Sequence, residues 1–116
     1  MKTSKEFMLL FRFEPVEGYQ PTESEQAEQH RQWGSFIGKL AIQEKLVSTY
    51  QLGFSGKLVN AQGTVTDGVY STGGIVVGGN MVVKALSLDE ATAISKECPI
   101  LAMGGTVEVR EIEPME

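Results

Sequence analysis

SLDEATAISKECPILAMGGTVEVREI, residues 87–112, sets a helix and a strand in order with a clear stop between them. Ser87-Leu88-Asp89-Glu90 has the S-x-x-E form of a capping box, in which a hydroxyl and a carboxylate satisfy two backbone N–H groups at the start of a helix. The helix runs through Ala91, Ala93, Ile94 and Lys96, and Pro99 ends it because proline lacks the N–H the next turn needs. Gly104-Gly105 turns the chain into residues 106–112, where Thr106, Glu108 and Arg110 alternate with Val107 and Val109 until the slip at Glu111-Ile112. Period two of this kind predicts a half-buried strand. Upstream of the cap, IVVGGNMVVKAL at residues 75–86 is β-branched at both ends and holds Gly78-Gly79-Asn80 inside. It reads as one long or bulged strand, with a hairpin turning at Gly79-Asn80 as the alternative.

The N-terminal half also begins with a strand. FMLLFRF, residues 7–13, is an apolar and aromatic run ended by Glu14-Pro15, which predicts a strand buried on both faces with Arg12 as the exception. A loop at residues 16–21 leads to Thr22 or Ser24 as the cap of a long helix, with Glu23 and Glu25 near its positive end. Gln26, His30, Trp33, Ile37 and Leu40 then recur at steps of four and three, and Phe36 and Ala41 widen the stripe. That spacing directs one helical face at a sheet. Glu25, Glu28, Arg31, Gln32 and Lys39 form the solvated side. Gly34 and Gly38 each cost the helix about 1 kcal/mol against alanine, which signals either close backbone approach or a weak helix. Residues 46–61 alternate loosely, with Gly53 and Gly56 marking a bend, bulge or edge. After Gln62-Gly63, the segment Thr64-Val65-Thr66 can pair back as a short hairpin arm, and Gly73-Gly74 breaks the chain once more.

The element order is β-α-β-β-α-β with an extra hairpin in the middle. It predicts an α+β, ferredoxin-like antiparallel sheet with both helices on one face, within a single domain over residues 1–116. A sheet covered on one side leaves its second face in need of cover, and the simplest cover is the same face of another copy. Homodimerisation is therefore expected.

Composition narrows the function classes. With 116 residues, 41% apolar and 22% charged, and no continuous apolar stretch near the ~18 residues of a membrane span, the chain reads as soluble and globular. Residues 1–6 carry charge and hydroxyls where a signal peptide would be apolar, so a cytoplasmic location is expected. A net charge of -5 with no basic patch argues against nucleic acid, whose binding depends on positive surface. The single cysteine, Cys98, excludes an intrachain disulfide and a cysteine-cluster zinc site. One histidine without a second histidine or an ordered acid cluster is a poor metal site. The glycine pairs do not stand in the strand-then-helix G-x-G-x-x-G order of a dinucleotide loop, so neither a metal nor a cofactor is expected.

Four stretches taken in order, FMLLFRF, HRQWGSFIGKL, TDGVYSTGG and SLDEATAISKECPILAMGGTVEVREI, resemble the YCII-related proteins, and their DGPF-domain branch in particular. The family's Asp-Gly-Pro-Phe is Asp67-Gly68-Val69-Tyr70 here, so the acid and glycine match while the next two positions depart. The resemblance implies a ferredoxin-like unit that pairs into a dimeric α/β barrel with a cleft between sheet and helix. Most members have no established activity. A few relatives act as small-molecule enzymes, with a His-Asp pair proposed as their acid/base centre, and the resemblance implies His30 and Asp67 as the matching positions.

On residue chemistry, His30 is the natural candidate for a proton carrier, imidazole being the usual acid/base side chain at neutral pH. Its other reading is a half-exposed polar residue near a helix end. Asp67-Gly68 also suits a tight hairpin, because Asp can cap its own turn and Gly accepts positive φ. The roles are compatible, since a turn can aim a carboxylate at an imidazole. Arg12, alone among apolar neighbours, is either a snorkelling edge residue or an anchor for an anionic group. Trp33 and Tyr70 are candidates to wall a pocket for a small apolar or aromatic ligand, and equally candidates for core. Cys98, next to a proline stop at a helix C-terminus, is expected to be structural. Catalysis itself is left open, and a non-catalytic accessory or interaction module working through its dimer surface is the alternative.

Overall fold

Alternation along the first strand, β1 (Lys5–Phe13), sets the layering: Phe7, Leu9 and Phe11 are buried, while Met8, Leu10 and Arg12 point the other way and are half-buried. Only one face of this strand is closed, where burial on both was expected. The computed structural model describes residues 4–15 and 20–115, and the expected loop at residues 16–21 lies largely outside them. Around β1 stand α1 (Glu23–Ile42), β2 (Leu46–Gln51), β3 (Lys57–Val59), β4 (Val65–Asp67), β5 (Val76–Ala85), α2 (Leu88–Ser95), a 3₁₀ turn (Pro99–Leu101) and β6 (Thr106–Glu111). Four strands form an antiparallel sheet in the order β2-β5-β1-β6, and β3-β4 forms a separate two-stranded ribbon. Two helices over one face of such a sheet are compatible with a ferredoxin-like fold.

Both helices face the same core. Phe36 and Leu40 from α1, with Ala91 and Ile94 from α2, cluster with Phe7, Leu9, Phe11, Met81 and Val83 of the two central strands. Full burial of side chains such as Leu9 or Val83 contributes about 1.5–3 kcal/mol each. Val82 is also buried but belongs to the opposite face and lies outside this cluster.

β5 is one strand with a bulge. Phe11 pairs with Gly79 and Arg12 with Val77, leaving Gly78 as the extra residue, so the alternative hairpin at Gly79-Asn80 does not form. A Cβ on Gly78 would stand 2.2 Å from the Phe13 ring, and one on Gly79 would stand 2.7 Å from the Tyr50 carbonyl oxygen. These two positions require glycine for close approach.

α1 is capped by Thr22 in a complete box: its hydroxyl accepts from the Glu25 N–H at 3.1 Å, and the Glu25 carboxylate accepts from the Thr22 N–H at 3.2 Å. α2 has the Ser87 half of its box, the hydroxyl accepting from the Glu90 N–H at 3.2 Å, while the Glu90 carboxylate lies 3.8 Å from Lys45. Pro99 follows in the 3₁₀ turn. Residues 23–28 of α1 are all exposed, so the helix overhangs the sheet before Trp33 makes contact. The inward stripe therefore begins later than its period suggests: Gln26 and His30 are exposed, and so is Ala41. Among the described residues no helix is long and apolar enough to cross a membrane.

Candidate functional site

The middle hairpin carries Asp67. Its turn is made by residues 60–63: the Asn60 side-chain oxygen accepts from the N–H groups of Gln62 and Thr64, and Gly63 takes φ +82°. Asp67-Gly68 is not that turn. Asp67 ends β4, opposite Lys57 in β3, and the two side chains form an ion pair on one face of the ribbon. Direct cross-strand placement explains the pair, since opposite residues share a face. Gly68, at φ +105°, donates its N–H to the Gly56 carbonyl and closes the base of the arm. Both ions are mostly exposed, with 87% of the Asp67 side chain open to solvent.

His30 sits on the overhanging part of α1, exposed, and makes no hydrogen bond or ion pair with the described residues. Neither it nor Asp67 lines either of the two described grooves. One groove, about 460 Å³, runs between α1 and the turn after α2, past Arg31, Phe36, Lys39 and Cys98. The other, about 520 Å³, lies between Lys5 and Pro114 at the end of β6. Both are open to solvent. Among the described residues, no cluster of His, Cys, Asp or Glu has the size to hold a metal ion.

Trp33 is half-buried and packs edge-on against Phe11, ring centroids 5.4 Å apart, and against Phe36 at 6.2 Å. Its ring lies against the edge of the core cluster. Tyr70 is 68% exposed, just beyond the base of the arm. Arg12 lies on the uncovered sheet face and bonds Glu108 of β6, two residues along from its own register partner Thr106. Neither Glu108 nor Lys57 was picked out as a partner for these charges, because only the strand register reveals which residues stand opposite. Cys98 is buried, and that burial pushes its thiol up to about 11, opposed by a backbone hydrogen bond at Ile100. Burial accords with the structural role expected from its position beside Pro99.

A family model, the YCII-related domain, matches residues 27–116. The chain belongs to the YCII-related family. The match runs from within α1 to beyond the end of β6, taking in His30, the arm with Asp67 and both central-strand glycines. β1 precedes it, so Arg12 lies outside the matched span. Among curated proteins none matches the chain. Within this family frame, the chain leaves His30 and Asp67 on separate, solvent-facing elements, packs Trp33 against the core and engages Arg12 in an ion pair.

Proposed function

We propose that this chain is a homodimeric, small-molecule-binding protein of the DGPF branch of the YCII-related family, whose cleft is finished only when two sheet faces meet as an α/β barrel. The observation that carries this reading is the uncovered face of the sheet. Met8, Leu10, Val77 and Val82 lie there outside the helix-side core, beside the exposed Tyr50 of β2. An apolar strip of this kind at the centre of a sheet is ordinarily covered. The Arg12–Glu108 pair borders the strip, and in this reading Arg12 exchanges Glu108 for an anionic group on a ligand. In the catalytic form of this reading, His30 moves a proton and Asp67 orients the imidazole or balances its charge, with Trp33 and Tyr70 as apolar wall; no cofactor enters. Its cytoplasmic location is part of the same proposal.

The non-catalytic module remains the second reading, favoured by a specific observation. The Asp67 carboxylate is already engaged by Lys57, and neither it nor His30 touches a described groove.

A thermal-shift screen of small aromatic and carboxylic compounds, run on the native protein and on His30→Ala, separates the two. Ligands that bind the folded state raise its melting temperature by mass action. A compound whose stabilisation disappears in His30→Ala supports the site. One that stabilises both proteins equally binds elsewhere and removes His30 from it.

A further inference from the structure

We infer that the β3–β4 arm is an intersubunit element that packs on a second copy of this chain and carries Asp67 to it. This rests on the homodimer proposed above and adds to it which segment reaches across.

The arm has an apolar surface and no cover of its own. All six residues of its two strands are exposed, and among the described residues these strands pair only with each other. Among the described residues, ten of the sixteen exposed large hydrophobic side chains fall between Val47 and Ile75. Val59 and Val65 stand opposite each other at 68% and 54% exposure, on the same ribbon face as Lys57 and Asp67. An isolated two-stranded hairpin is marginal in water, and this one turns valines to solvent.

The arm is nevertheless aimed. The Gly78 bulge leaves room for the Phe13 ring, and Phe13 packs edge-on against Phe54, centroids 6.2 Å apart, just before β3. Val69 lies against Gly56, and Thr72 and Ile75 exchange two backbone hydrogen bonds at 3.0 Å where the chain returns. These contacts fix the base without covering the tip.

Shape and area indicate what does the covering. The chain is a slab of 48 × 45 × 19 Å, and a sheet with one helical layer already accounts for the thin dimension, so the arm lies over neither face of its own protomer. The radius of gyration is 16.1 Å, where about 13 Å is expected for a compact chain of this length. The exposed surface, 8565 Å², exceeds the roughly 6,200 Å² of a compact monomer of 12.6 kDa. The surplus, about 2,400 Å², is of the order that one copy buries in an obligate dimer. The arm leaves the sheet from the ends of β2 and β5, beside Tyr50 and Val77 of the uncovered face, while Phe54 at its base rests on Phe13 at the edge of the helix-side core.

The test compares sedimentation equilibrium of the native protein with Val59→Asp/Val65→Asp on the arm and Leu10→Asp on the sheet face. Amide hydrogen exchange of residues 57–67 is followed at high and low protein concentration. The inference expects a native dimer, a dimer dissociation constant raised about a hundredfold or more by the arm double variant with its far-UV circular dichroism retained, and slower exchange of the arm at concentrations where the dimer forms. A native dimer that Leu10→Asp disrupts but the arm variant leaves unchanged, with arm exchange independent of concentration, overturns the arm's role and leaves the dimer standing. A native protein that stays monomeric at micromolar concentration overturns both.

Discussion

The same substitution, glycine to alanine, should have opposite signs at two places in this chain. In β5, a Cβ on Gly79 would stand 2.7 Å from the Tyr50 carbonyl oxygen, a backbone atom of the paired strand that cannot swing away, and 3.5 Å from the Phe11 ring. Overpacking of this kind costs about 1–3 kcal/mol. In α1, a Cβ on Gly34 or Gly38 would meet nothing within 4 Å, so alanine there gains the helix propensity that glycine forfeits, about 1 kcal/mol each. For 116 residues the unfolding entropy near the midpoint is about 0.24 kcal/mol per degree, so 1 kcal/mol moves the melting temperature by about 4 °C. Gly79→Ala is expected to melt about 4–12 °C lower, and Gly34→Ala and Gly38→Ala each about 4 °C higher. Differential scanning calorimetry at one fixed protein concentration reads all three, because any self-association makes melting concentration-dependent. A melting temperature lowered by Gly34→Ala or Gly38→Ala would refute the reasoning, since something must then approach a helix face that is open in the protomer.

Two further outcomes follow from local geometry. Thr22→Ala removes the hydroxyl that accepts from Glu25 N–H and should cost about 1 kcal/mol in urea unfolding, while Ser24→Ala, one turn position away, should cost much less. Cys98 should resist a disulfide reagent at pH 8 until the protein unfolds, since its thiol is buried and its pKa stands at about 11. Its raised folded pKa also gives a direction with pH: the native state is favoured below the ordinary thiol value of 9.0, and this contribution is lost as pH rises from there towards 11. Rapid stoichiometric labelling of the native protein, or stability that increases across that window, would contradict the buried neutral thiol.

Much of the fold could be read from local chemistry. The S-x-x-E start of α2, its Pro99 stop and the alternation of β6 need no tertiary information, and the structure has all three. The alternation in residues 75–86 could not choose between bulge and turn, because that choice depends on Phe13 occupying the space beside Gly78. The cap of α1 was legible as Thr22 or Ser24, and the structure decides for Thr22, with Glu25 three residues on closing the box. His30 illustrates a different limit. Helical period tells which residues share a face, and not where along the helix the sheet begins; here the overhang leaves His30 in solvent and Trp33 against the core. For Asp67, the Asp-Gly pair suggested a hairpin turn, yet Asn60 and Gly63 make it, and Lys57 across the ribbon takes the carboxylate. A pairing partner is fixed by register, which the sequence of a short, loosely alternating strand specifies poorly.

The account turns on the uncovered sheet face, and sedimentation equilibrium of the native protein at micromolar concentration tests it most directly. A species of twice the 12.6 kDa chain mass, reverting to a folded monomer in Leu10→Asp, is the predicted result. A native protein that stays monomeric, or a Leu10→Asp variant that dimerises as tightly as the native chain, would contradict it.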